Sequence, residues 1–342
     1  MRIVALDLIR FFAAISVVLY HYVSAPDSNA YPLWSEVTKF GYLGVPLFFM
    51  ISGYVIALSA NNRSPAQFAV SRFVRLYPAL WAGVIFTVLI STTLAAYSYS
   101  IPQVLANFTL LNNYLGFADV DGVYWTLKAE LKFYACIFLL LLFGVFNKFH
   151  IWLTVWLALT VMHAIFAQPF FMGWIISPGY SSFFIAGIAF FLIQTQPKNS
   201  YHYFILISSL LLSGYLGYHQ TAGFLINPGA SEKWISVALI CCSYLLLYLL
   251  CTGKLNIKAR SSYLTIGALT YPLYLIHKVA GEVMIDRFSH VVPEEIMILI
   301  TIVFMVFIAW LIHIAIEKPL ATPMKNTLLT IVRAKSDSRK SP

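Results

Sequence analysis

The sequence predicts an all-α fold: a polytopic transmembrane helix bundle of about ten spans with no soluble domain. Three observations predict it. Of 342 residues, 60% are hydrophobic and only 10% are charged, where a soluble domain carries about 25% charged residues. The apolar residues come in runs of roughly 20, enough to cross a bilayer as helices. Lipid cannot satisfy backbone polar groups, so only helices or closed barrels span it, and strand-like alternation is absent.

The spans are expected at about 5–24, 39–60, 78–97, 126–147, 151–168, 180–196, 201–219, 233–252, 264–285 and 296–316. The first could imitate a signal peptide. Asp7 and Arg10 interrupt what would be its uniformly apolar core, so it reads as a retained helix. An even number of spans puts both termini on one side. Of the 22 Lys and Arg, only Lys39, Lys128, Lys132, Lys233, Lys278 and Arg287 then fall at the other side, which makes the terminal side cytoplasmic. That asymmetry also accounts for the net charge of +9, so no nucleic-acid partner is implied. The four cysteines, Cys136, Cys241, Cys242 and Cys251, fall in spans, so neither a disulfide framework nor a metal site is expected. The chain divides into a transmembrane domain over 1–320 and a basic polar cytoplasmic tail over 321–342, expected to fray.

Ionisable residues inside apolar spans are functional candidates. Arg10 and His21 lie eleven positions apart, three helical turns plus about 20°, so they share a face with an axial offset of roughly 16 Å. Asp7 stands one turn before Arg10 and can pair with it. Singly, Arg10 reads as a snorkelling anchor and His21 as an interfacial histidine; together they read as a functional stripe. Ser52-Gly53 in the second span permits close helix approach, and packing explains it better than catalysis, since no base is placed for a serine nucleophile. Arg72 and Arg75, one turn apart before the third span, suit either anchoring or a bidentate phosphate grip. In the fourth span Tyr124 and Trp125 mark the outer interface, with Glu130 one turn inside at the depth of His21. That carboxylate can orient an imidazole, or Lys128 and Lys132 can neutralise it. Pro272 opens the ninth span to a kink, and His277 is either a second pore histidine or an end residue. Glu317 is placed to pair with the cytoplasmic arginines.

These motifs together resemble acyltransferase family 3, over about residues 3 to 320. The opening L-D-x-x-R-x10-H pattern is met by Leu6, Asp7, Arg10 and His21, and G-V-x-x-F-F-x-I-S-G from Gly44 to Gly53. Arg72, Arg75, Leu76 and Pro78 meet R-x-x-R-[IL]-x-P. Trp125, Thr126, Leu127, Glu130, Phe133 and Tyr134 meet W-[ST]-L-x-x-E-x-x-F-Y. Tyr271 to His277 and Glu317 to Pro319 supply the late Y-x-x-Y-L-x-H and E-[RK]-P elements. The resemblance implies an integral enzyme of the bacterial inner membrane. It would move an acyl group, usually acetyl, from cytoplasmic acyl-coenzyme A to a hydroxyl of an extracytoplasmic glycan or lipid-linked saccharide, such as O-antigen or exopolysaccharide. Acyl-coenzyme A is a co-substrate, with no permanently bound cofactor or metal. Some members append an SGNH hydrolase-like domain, which is expected to be absent here, its role falling to a separate protein.

On this reading Arg10, Arg72 and Arg75 hold the coenzyme phosphates. His21 is the general base on the sugar hydroxyl, or carries a transient acyl group. Glu130 orients His21 or binds the acceptor. Tyr124 and Trp125 offer a stacking surface, and Ser52 or Tyr54 stabilises the oxyanion. The rival class is a proton-coupled secondary transporter of a small polar solute, which intramembrane charges and a Pro-kinked helix also fit. Against it, the polar residues split into an inner arginine cluster and an outer His/Glu cluster instead of gathering at the midplane.

Overall fold

A computed structural model describes residues 4–24, 32–166, 173, 175–258 and 260–337. Arg2, Arg339 and Lys340, counted above on the cytoplasmic side, lie outside the described residues, as do the end of the fifth expected span and residues 338–342 of the tail. Among the described residues the regular structure is all helical. The longer elements are α1 (Ala5–Leu19), continued by a π-helical turn over Tyr20–Ser24, α2 (Pro32–Thr38), α3 (Gly44–Ala60), α4 (Pro65–Ala95), α5 (Ile101–Asn107), α6 (Tyr124–Leu142), α7 (Phe149–Phe166), α8 (Pro178–Thr195), α9 (Ser200–Gln220), α10 (Ala230–Cys251), α11 (Ser261–Ile276), α12 (Lys278–Phe288) and α13 (Glu294–Ile312), which passes through a second π turn, His313–Glu317, into α14 (Lys318–Asp337).

Helices occupy all ten expected places, yet among the described residues only 7 segments are long and apolar enough to cross a membrane. The three that fall short do so for visible reasons. The α6 helix carries Lys128, Glu130 and Lys132, α9 is diluted by serines, tyrosines and histidines, and α11 stops after 16 residues. The tail expected to fray is instead helical to Asp337. It propagates from α13, so it avoids the cost of a separate helix nucleus, and it packs on α4.

The chain forms two compact units. The first comprises residues 1–62 and 129–267. Its centre is α8, buried from Ser181 through Ile193, with α3, α7, α9 and α10 against it. A helix apolar on every side belongs in such a place. The α3–α8 contact is backbone on backbone. A Cβ at Gly187 would stand 2.0 Å from the Met50 carbonyl oxygen, and one at Gly53 2.3 Å from that of Phe184. Small residues let membrane helices approach this closely. The α1 helix docks on the start of α3 the same way, a Cβ at Gly44 reaching within 2.5 Å of the Ala13 carbonyl oxygen.

The second unit comprises residues 63–128 and 268–342. Its spine is α4, begun by a Ser64–Gln67 capping box with Pro65 in the first turn, where a missing N–H costs nothing. Helices α12 and α14 pack on α4, and Gly83 admits Leu275. The chain breaks at His277, between α11 and α12. Polar groups near the start of α6 hold that break. Tyr124 Oη donates to the Leu275 carbonyl at 3.3 Å and Thr126 Oγ1 to Tyr274 Oη at 3.0 Å. Asp121 accepts the Val123 and Val279 amides, both at 3.0 Å. Irregular backbone inside a membrane protein survives only with such replacements for its lost helical bonds.

Candidate active site

The first unit holds Asp7, Arg10, His21, Ser52, Tyr54 and Glu130. Arg10 is half-buried on α1. The α-helical spacing that aligns it with His21 holds through Leu19, and His21 then sits in the π turn. A π turn widens the helix by one residue and is enriched at functional positions. Hydropathy period does not reveal it. Tyr20 braces this turn from the neighbouring position: its ring meets the His21 ring edge-on at 5.1 Å, and its hydroxyl donates to the Phe224 carbonyl at 2.7 Å. Asp7 packs under Gly267, where an added Cβ would collide at 2.5 Å.

Glu130 does not meet Lys128. That lysine bridges to Asp119 at 2.6 Å and donates to Asn113 Oδ1 at 2.8 Å, while Lys132 donates to the Gly173 carbonyl. Glu130 Oε1 instead accepts from the Ser52 hydroxyl at 2.6 Å. The expectation that Ser52 stands away from any base is therefore corrected, because 78 residues of chain separate two groups that touch. Tyr54 donates its hydroxyl to Gln194 Oε1 at 2.5 Å. A hydroxyl has one proton to give, and in this arrangement both expected oxyanion donors have given theirs to side chains.

The second unit holds Arg72, Arg75, Tyr124, Trp125 and His277. The Arg72 guanidinium lies 5.9 Å from the Phe68 ring centre and donates to Ser71 Oγ at 3.1 Å. Arg75 pairs with Glu317 at 3.3 Å and lies 5.6 Å from the Tyr271 ring centre. The other Glu317 oxygen meets His313 Nδ1 at 2.8 Å, across the second π turn. The pairing expected of Glu317 with a cytoplasmic arginine is thus present. Tyr124 departs from expectation. Its ring has no exposed surface, so it cannot stack on an acceptor, and its hydroxyl serves the helix break. His277 is equally enclosed, with Nδ1 at 2.8 Å from the Tyr274 carbonyl oxygen. Sequence reasoning missed Asp121. Burial pushes its carboxyl up to about 6, against the pull of two amides and Lys278. Its signal, an aspartate three residues ahead of the helix start at Tyr124, is a local turn signature that points to no particular long-range partner.

Comparison with known proteins decides what this set of residues belongs to. Residues 3–314 match the family model described as an acyltransferase domain. The chain belongs to acyltransferase family 3. Among curated proteins, this acyltransferase-family chain is 29% identical over 161 residues to Nodulation protein 10 of Rhizobium leguminosarum bv. viciae, covering 40% of this chain and 43% of that protein. It is 30% identical over 145 residues to Acyltransferase MdmB of Streptomyces mycarofaciens, covering 39% of this chain and 38% of that one. The family member described here therefore spans less than half the length of the curated relatives it matches. No solved structure matches it.

Proposed function

We propose that this protein is a membrane O-acyltransferase. It takes an acyl group, acetyl as the family's usual donor, from cytoplasmic acyl-coenzyme A and places it on a sugar hydroxyl of an extracytoplasmic glycan or lipid-linked saccharide, of the O-antigen or exopolysaccharide kind. It resides in the bacterial inner membrane with both termini in the cytoplasm. The observation that carries this reading is the family match over residues 3–314, which includes the whole Asp7–Arg10–His21 pattern. The second relative, an acyltransferase by name, supports it.

In the mechanism, His21 accepts the proton of the sugar hydroxyl as its oxygen attacks the thioester carbonyl. An imidazole suits that task near neutral pH. The tetrahedral adduct collapses, the carbon–sulfur bond breaks, and the thiolate takes the proton from the imidazolium. The products are the sugar ester and free coenzyme A. Arg72 and Arg75 bind the coenzyme phosphates, for which guanidinium geometry is well matched. In the free protein Glu317 neutralises Arg75 and gives way to phosphate when donor binds.

The test is acyl transfer by purified protein, with donor binding measured alongside. We expect His21→Ala to bind acyl-coenzyme A as before and to lose transfer by at least about 100-fold. We expect Arg75→Ala to weaken donor binding by about tenfold, the scale of one charge-assisted phosphate contact. Full activity in His21→Ala would remove the imidazole from the reaction. Solute uptake into vesicles without any acyl transfer would instead favour a carrier.

A further inference from the structure

Neither packing nor oxyanion donation uses what the structure gives Ser52. It is 4% exposed on α3. Its hydroxyl is 2.6 Å from Glu130 Oε1, inside the range of a charge-assisted O–H···O⁻ bond, about 2.5–2.7 Å. Its single proton is committed there.

Both sides of this contact are rigidly held. On α3, the next residue is Gly53, and the Gly53–Gly187 seam presses the α3 backbone on α8 so closely that neither glycine tolerates a Cβ. Ser52 cannot slide along its axis without breaking that seam. On α6, Phe133 stands one turn from Glu130, on the same side of the helix. Its ring centre is 4.4 Å from that of Phe184, which is 4.6 Å from that of Phe49 on α3. The same three elements therefore carry the hydroxyl, the carboxylate and the wedge between them. A carboxylate has two oxygens and about four acceptor positions. Ser52 occupies one. Glu130 is half-buried, and the acceptor positions of its second oxygen remain for another donor.

We propose that Ser52 is the positioning residue for Glu130, holding its carboxylate in one rotamer so that the second oxygen keeps a fixed place for a hydrogen-bond donor of the acyl-transfer centre. This rests on the functional reading above. It removes Ser52 from oxyanion stabilisation and makes its effect on the reaction pass entirely through Glu130.

The experiment is a double-mutant cycle in kinetics, with an infrared readout that needs no activity. Ser52→Ala should lower kcat by 10- to 100-fold with KM for the acyl donor within about twofold of wild type. Ser52→Thr, which keeps the hydroxyl, should recover most of the rate. In a Glu130→Gln background Ser52→Ala should cost nothing further, since groups acting as a unit are non-additive. In the infrared, Glu130→Gln removes one carboxylate band, and Ser52→Ala should shift that same band. Wild-type kcat in Ser52→Ala, a loss that multiplies with Glu130→Gln, or failure of Ser52→Thr to recover a rate that Ser52→Ala loses in a folded protein each overturns the proposal. A shifted band in a chain that transfers no acyl group overturns the functional reading, and this catalytic role with it, while the Ser52–Glu130 tie stands.

Discussion

Burial of Asp121 makes the folded chain less stable once that carboxyl ionises. Its native value of about 6 lies above the ordinary 3.8, so between those pH values the folded state keeps a proton that the unfolded chain has released. Stability then falls as pH rises through that window. The loss is about 3 kcal/mol, at roughly 1.4 kcal/mol for each pH unit between the two values. Lys278 opposes the effect, Asp119 adds to it, and Lys128 holds Asp119. Melting Asp121→Asn and wild type in detergent from pH 4 to 7 should show the wild type losing ground to the variant as pH rises; parallel curves would show that Asp121 is not the group responsible. At this scale the sequence was partly legible. Depth and face single out Arg10, His21 and Glu130, because an ionisable group in an apolar run is costly and conspicuous. What faces each of them is not legible. Ser52 meets Glu130 across 78 residues, and helical period says nothing about which neighbouring helix is opposed. Tyr124 looks like an interfacial aromatic, yet its hydroxyl is drawn inside by a carbonyl that the His277 break leaves wanting a donor.

Helices are a matter of local period and length, so each of the ten expected stretches is helical. Which of them cross a membrane is less local. Among the described residues seven satisfy length and apolarity, and the shortfall in α6 comes from charged groups whose partners are Ser52, Asp119 and a backbone carbonyl. The two π turns are illegible, since one extra residue per turn leaves no mark on composition. The glycines are the opposite case: Gly53 reads as a packing position, and the structure shows how tightly it meets Gly187. Gly187→Ala would drive a methyl into the Met50 carbonyl oxygen, which cannot rotate away. Gly217→Ala would meet only the terminal Cδ1 of Ile240, at 2.3 Å, and that atom can move aside. Overpacking against fixed atoms costs about 1–3 kcal/mol or more. Thermal unfolding in detergent should therefore separate the two: Gly187→Ala loses more than about 2 kcal/mol and Gly217→Ala less than about 1. Equal losses would mean that the α3–α8 seam is looser than its backbone contacts indicate.

At the scale of the whole molecule, two helical runs in the second unit are longer than a bilayer requires. The α4 helix has 31 residues, about 46 Å at 1.5 Å each. Helix α13, the second π turn and α14 run without interruption from Glu294 to Asp337, roughly 66 Å on the same arithmetic, against a hydrocarbon core of about 30 Å. The excess must leave the core or lie along its surface. In both runs the basic residues mark which end that is: Arg72 and Arg75 before Pro78, and Lys318, Lys325, Arg333 and Lys335 after Glu317. The two basic ends meet, since α14 packs on α4 and Arg75 pairs with Glu317. Positive charge favours the cytoplasmic face, and the donor chemistry proposed above requires it there, because coenzyme A is a cytoplasmic polyanion too polar to cross lipid. Orientation is thus tied to mechanism and can be measured. In a chain whose four cysteines are replaced by serine, Lys325→Cys and Arg287→Cys each offer one thiol at an exposed position. A membrane-impermeant maleimide applied to intact spheroplasts should label position 287 and spare position 325 until the membrane is opened. Labelling of 325 from outside would place the arginine cluster on the face without coenzyme A, and no acyl-coenzyme A could then reach Arg72 and Arg75.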